Sequence, residues 1–155
     1  MHGFTHLHTA SGFSMRYGAS HPETLADRAA ARGLPALALT DRDTLAGAVR
    51  FSRACARNGV RPVYGVDLAV TPPGTPQGER GASRGPGDPR GGAAGHQSTP
   101  SHRRTPARGG SFIDESAPRA VFLARDGAGG WAELCRMITA AHADGSDRPL
   151  LPRDA

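Results

Sequence analysis

The sequence predicts an α/β fold with parallel strand pairing. Short apolar runs alternate with amphipathic stretches from Phe4 to Val70, and Gly33 and Gly59 close those stretches just before the next apolar run. Strand, helix, strand, helix, strand with short links implies parallel neighbours joined by right-handed crossovers.

Each element has its own signal. "FTHLH" is short and alternates in polarity, so it reads as a first strand. Ser20 followed by Glu23 fits a capping box, with Pro22 tolerated in the first turn, and a helix runs to about Arg32 burying Leu25 and Ala29. "PALALTD" is continuously apolar and reads as a buried strand. A second helix from about Thr44 to Asn58 presents Leu45, Ala48, Val49, Ser52 and Cys55 as its inner stripe. "RPVYGVDLAV" is the third strand.

The alternation then stops. Residues 71–110 contain ten Gly, seven Pro and no apolar residue larger than alanine. Such a stretch buries too little surface to offset the entropy of ordering it, so residues 71–118 are expected to be a disordered insertion. Beyond it, "RAVFLARD" reads as a buried strand. Gly129 to His142 reads as a helix with Trp131, Leu134, Cys135, Ile138 and Ala141 on one face. The expected organisation is therefore residues 1–70, an insertion at 71–118, and a continuation over 119–155.

Composition excludes several functions. The chain has 155 residues and a net charge of +5, and all of its basic residues are arginine. Six of these arginines fall in residues 71–110 against Glu79 and Asp88, so the charge does not define a basic face on the folded part. A nucleic-acid-binding module would rest on those arginines alone. Cys55 and Cys135 both fall in helical patterns and read as buried thiols, as suits a reducing cytoplasm. No apolar run is long enough to span a membrane, and the N-terminus lacks a signal-peptide layout. A cytoplasmic location is expected.

Three polar clusters stand at the ends of the predicted strands. His6 and His8 are two residues apart, which places both rings on one face of a strand, a geometry suited to Zn, Mn or Fe. Asp41 lies in "LTDRD" and Asp67 in "YGVDL". In parallel α/β folds such ends converge on the functional face. Taken alone, a His-x-His pair is more often a core or loop pair satisfied by hydrogen bonds.

"FTHLHTASGFSMRYGASHPETL", "LPALALTDRDTLAGAVRF" and "GVRPVYGVDLAV" resemble the PHP (polymerase and histidinol phosphatase) domain family. The likeness is to the N-terminus of bacterial replicative or error-prone DNA polymerase III alpha subunits. "RAVFLARDGAGGWAELCRMITAAH" resembles the next segment of the same family. The resemblance implies a distorted β/α barrel, of which this chain holds the first βα units. It also implies a multinuclear metal site at the strand C-termini, and a truncated N-terminal fragment of a longer polymerase.

Residue by residue, the family pattern F-x-H-L-H-x-H-T-x-F/Y-S-x-x-D-G-A lies without gaps on Phe4 to Ala19. His6 then matches a non-ligand histidine and His8 the first metal histidine. Ala10 stands where the second is expected, and Tyr17 replaces the aspartate before Gly-Ala. A gapped register instead makes His6 and His8 the metal pair. In the T-D-H motif the ligand histidine becomes Arg42, and the acidic position of the third motif survives as Asp67.

Guanidinium has no lone pair to give and carries a permanent charge. At 4 Å from a dication, with an effective dielectric near 20, it costs roughly 8 kcal/mol. The resemblance thus implies a degenerate site with His6, His8, Asp41 and Asp67 as the surviving candidates. No cofactor is expected; an intact site would hold Zn, Mn or Fe. Arg42 is expected to bridge Asp67 in the metal's stead. The function implied is a structural PHP domain whose partners are the remainder of a polymerase and, through it, DNA. The alternative is a metal-dependent phosphoesterase or 3′–5′ exonuclease.

Overall fold

Local signals place most elements where the chain needs them. The computed structural model describes residues 4–71, 117–143 and 149–152, with the backbone of 105–106 and 112–113. In order these form α1 (Pro22–Ala31), β1 (Ala36–Arg42), α2 (Ala48–Asn58) and β2 (Arg61–Ala69). There follow β3 (Thr105–Pro106), β4 (Phe112–Ile113), β5 (Arg119–Leu123) and α3 (Gly129–Ala141). The chain divides into two units, Met1–Thr71 with Ala117–Ala155, and Pro72–Ser116. In the second, β3 and β4 pair antiparallel.

The first unit is an α/β layer whose sheet runs in the order β1-β2-β5. β1 and β2 are parallel, as the short βαβ link requires, in a register that sets Ala36 beside Arg61 and Arg42 beside Asp67. β5 pairs antiparallel with β2, Leu123 opposite Gly65 and Arg119 opposite Ala69. By strand alternation Leu37, Leu39, Tyr64, Val66, Leu68 and Phe122 share one face. Both apolar clusters lie on that face. Leu37 and Leu39 pack with Ala26, Ala29, Phe51, Ala54 and Cys55. Val66 and Leu68 pack with Leu134, Met137, Ala141 and Leu151.

Several expectations are corrected. "FTHLH" is not a strand: His6 makes a single parallel bridge to Leu37. The Ala38 N–H donates to the His6 carbonyl, but the Thr40 N–H reaches Thr9, one residue further than a regular ladder allows. The Thr40 hydroxyl accepts the Thr9 N–H at 2.9 Å, taking a bond that a ladder would have used. The capping box does not form either. His21 is the N-cap, without a side-chain bond, and Pro22 opens α1. The Ser20 carbonyl instead accepts the Gly12 N–H, and Glu23 Oε2 is buried without a hydrogen-bond partner.

α2 begins at Ala48, and its inner residues are Ala48, Phe51, Ala54 and Cys55. Val49 is 60% exposed. It lines a cavity of about 350 Å³ together with Tyr64 and Trp131. The expected stripe was turned from the true one because it started on Leu45, which precedes the helix. β5 is an edge strand rather than a buried one, with Val121 and Leu123 exposed. In α3 it is Met137 that joins Leu134 and Ala141 in the core, while Cys135 is half-buried. Cys55 is fully buried, and burial pushes its thiol up to about 11.

The expected insertion at 71–118 lies almost wholly outside the described residues. Its two ends are tied to the sheet: the Val70 N–H donates to the Pro118 carbonyl, and the Thr71 N–H to that of Leu151.

Candidate functional site

β1 ends in Asp41 and Arg42, whose side chains leave the sheet on opposite faces. On the helix side, Asp41 is 2% exposed and held by the loop at residues 11–14. Its Oδ1 accepts the Ser11 N–H and the Ser14 hydroxyl, each at 2.6 Å. Its Oδ2 accepts the Ser11 hydroxyl at 2.8 Å. Both serines also accept: Ser11 Oγ from the Phe13 N–H and Ser14 Oγ from the Arg42 N–H. Hydrogen bonds to a carboxylate are the strong kind, and Asp41 receives three of them from this loop. The loop is drawn tight beneath it. Any Cβ at Gly18 would overlap the Ser11 carbonyl, so only glycine lets the chain close there.

The helix-free face carries a different arrangement. Arg42 on β1 stands beside Asp67 on β2, and Arg119 on β5 reaches Asp67 and, past the end of β1, Asp43. Arg119 Nε donates to Asp67 Oδ1 at 2.9 Å and Nη2 donates to Asp43 Oδ1 at 2.9 Å. Nη2 also lies 2.6 Å from the Asp67 carbonyl oxygen. That same carbonyl accepts the Asp43 N–H, which holds Asp43 at φ 56, a left-handed conformation that aspartate tolerates better than most residues.

Arg42 makes the longer contact in this group. Its Nε is 3.9 Å from Asp67 Oδ2, too long for a hydrogen bond, and its guanidinium lies 3.5 Å above the centre of the Tyr17 ring. Burial first, then the Arg119 charge, lower the Arg42 pKa; Tyr17, Asp67 and Asp43 oppose the shift. Arginine still remains cationic. Two guanidiniums thus face two carboxylates across three chain segments.

A family profile described as the PHP domain matches residues 6–155. This chain belongs to the PHP domain family. The PHP domain is homologous to error-prone DNA polymerases. That of Nocardia farcinica is 36% identical over 158 residues, covering 97% of this chain and 13% of the polymerase. That of Corynebacterium efficiens is 48% identical over 67 residues, covering 43% of this chain and 6% of the polymerase. The chain therefore spans only 13% of the length of the Nocardia relative. A solved amidohydrolase from Chromobacterium violaceum superposes with a TM-score of 0.35 at 38% identity, over 43% of this chain and 22% of its own.

Within this PHP domain the candidate ligands are not brought together. His6 is exposed, its backbone used in the bridge to β1 and its ring set edge-on to Phe4. The His8 ring nitrogen Nδ1 lies 2.9 Å from the Thr40 hydroxyl. Asp41 faces the helices and Asp67 the opposite side, so the strand register alone separates the two carboxylates. Among the described residues no group of three or more His, Cys, Asp or Glu could hold a metal ion. The substituted positions have tasks of their own: Tyr17 supports the Arg42 guanidinium, and Arg42 faces Asp67. The donor set does not fit a multinuclear centre.

Sequence reasoning missed Ser11, Ser14 and Arg119. The two serines were visible in "ASGFS" but carried no metal-ligand chemistry. Arg119 gave no signal, because its role depends on β5 running antiparallel to β2.

Proposed function

We propose that this PHP domain is a non-catalytic structural element of a protein of the error-prone DNA polymerase kind, acting in the cytoplasm. Its partners on this reading are the rest of a polymerase and, through it, DNA. The observation that carries the reading is the commitment of the surviving carboxylates. Asp41 receives three hydrogen bonds from Ser11 and Ser14, and Asp67 is engaged by Arg119. A metal would have to break these bonds and displace a fixed positive charge. The phosphoesterase reading further needs Asp41 and Asp67 on a shared centre, and they leave the sheet on opposite faces. Homology to polymerases over 97% of the chain supports the parentage. Among the described residues no helix is long and apolar enough to cross a membrane.

The test is elemental analysis of the purified chain beside an assay for phosphodiester hydrolysis with added Mn²⁺. The expected result is no stoichiometric Zn, Mn or Fe and no hydrolysis above buffer. One or more tightly held ions per chain, with turnover, would overturn the proposal.

A further inference from the structure

The ion cluster on the helix-free face is more than a remnant. Three oxygens converge on the Arg119 guanidinium: Asp43 Oδ1, Asp67 Oδ1 and the Asp67 carbonyl. All three are hard donors of the type that hold Mg²⁺ or Mn²⁺. They come from the end of β2 and the turn after β1, while the cation comes from β5, the next strand of the same sheet. We infer that Arg119 is a built-in cation whose side chain fills a latent divalent-cation site between Asp43 and Asp67. This rests on the metal-free reading above and adds to it the group that takes the ion's part.

Charge decides what the site accepts. With Arg119 and Arg42 facing Asp43 and Asp67, the cluster is balanced and offers no surplus positive charge to a phosphate. Without Arg119 the two carboxylates outweigh Arg42, and the place attracts a cation. Asp41 takes no part, since it is bonded to the serines on the other face. Two carboxylates and a carbonyl make a weak site, with an affinity on the order of millimolar. Arg119 has a second consequence. It fastens β5 to β2 at the Ala69–Arg119 end of their register, so the same guanidinium balances charge and fixes an edge strand.

The test is thermal unfolding of the full chain, of Arg119→Met, and of Arg119→Met with Asp67→Asn. Each is measured in NaCl and in millimolar MnCl₂ at equal ionic strength. The wild-type midpoint should not move with Mn²⁺. Arg119→Met should melt roughly 5 °C or more lower and recover part of that loss in Mn²⁺. The double variant should recover part of it in NaCl alone, because one of the two unbalanced carboxylates is gone. If Arg119→Met does not fold in NaCl, the double variant and refolding in MnCl₂ give the same two readings. A wild type indifferent to Mn²⁺, beside an Arg119→Met protein that neither Mn²⁺ nor Asp67→Asn improves, overturns this inference alone. A wild type that is itself stabilised by Mn²⁺ overturns the metal-free reading and the inference with it.

Discussion

At the scale of single residues, the site turns on which face each carboxylate leaves. Asp41 and Arg42 are adjacent, so alternation sends one to the helices and the other to the open face. Reading both aspartates as ligands of one centre followed from their common place at strand ends, and only the register of β1 on β2 corrects it. The motif marked Ala10, Tyr17 and Arg42 as substituted positions, and the structure sets Arg42 over the Tyr17 ring. The expected bridge from Arg42 to Asp67 was legible only in part: Arg42 does stand near Asp67, but the hydrogen-bonding guanidinium is that of Arg119. Ser14 offers a direct check on the buried carboxylate. Ser14→Ala removes a donor to Asp41 and the acceptor of the Arg42 N–H, and should cost about 1–3 kcal/mol in urea unfolding. Combined with Asp41→Asn, the loss should be less than additive. Additive losses would mean that the serine and the carboxylate act independently.

At the scale of elements, the helices and the two parallel strands were largely readable, because their apolar periodicity and glycine stops are local. Gly33 and Gly59 both adopt positive φ where the chain was expected to turn. The failures were tertiary. "FTHLH" alternates as a strand should, yet side-chain bonds from Thr40 divert it from the ladder. The capping box was present in residue types, but the Ser20 carbonyl is used by Gly12 and the helix starts one residue later. The direction of β5 could not be read, since residues 70–118 separate it from β2 along the sequence.

Its seat against β2 depends on Gly65. A Cβ there would come within 2.6 Å of Leu123 Cδ2 and of the Phe122 carbonyl, and 2.9 Å of Thr40 Cγ2. Gly65→Ala should therefore destabilise the sheet by about 1–3 kcal/mol through overpacking. Adding Leu123→Ala should relieve only part of this, because the Phe122 carbonyl is backbone and cannot be trimmed. Full relief on denaturant unfolding would show that the side chain alone sets the fit.

At the scale of the whole molecule, the three helices among the described residues cover one face of the β1-β2-β5 sheet, while the other bears the ion cluster together with Val121 and Leu123, 40% and 39% exposed.

The most direct measurement is a crystal structure of the chain grown with excess Mn²⁺, with anomalous scattering recorded near the manganese edge. The predicted result is no anomalous peak beside Asp67, and Arg119 still bonded to Asp43 and Asp67. A manganese ion coordinated by Asp67, with Arg119 displaced, would contradict it.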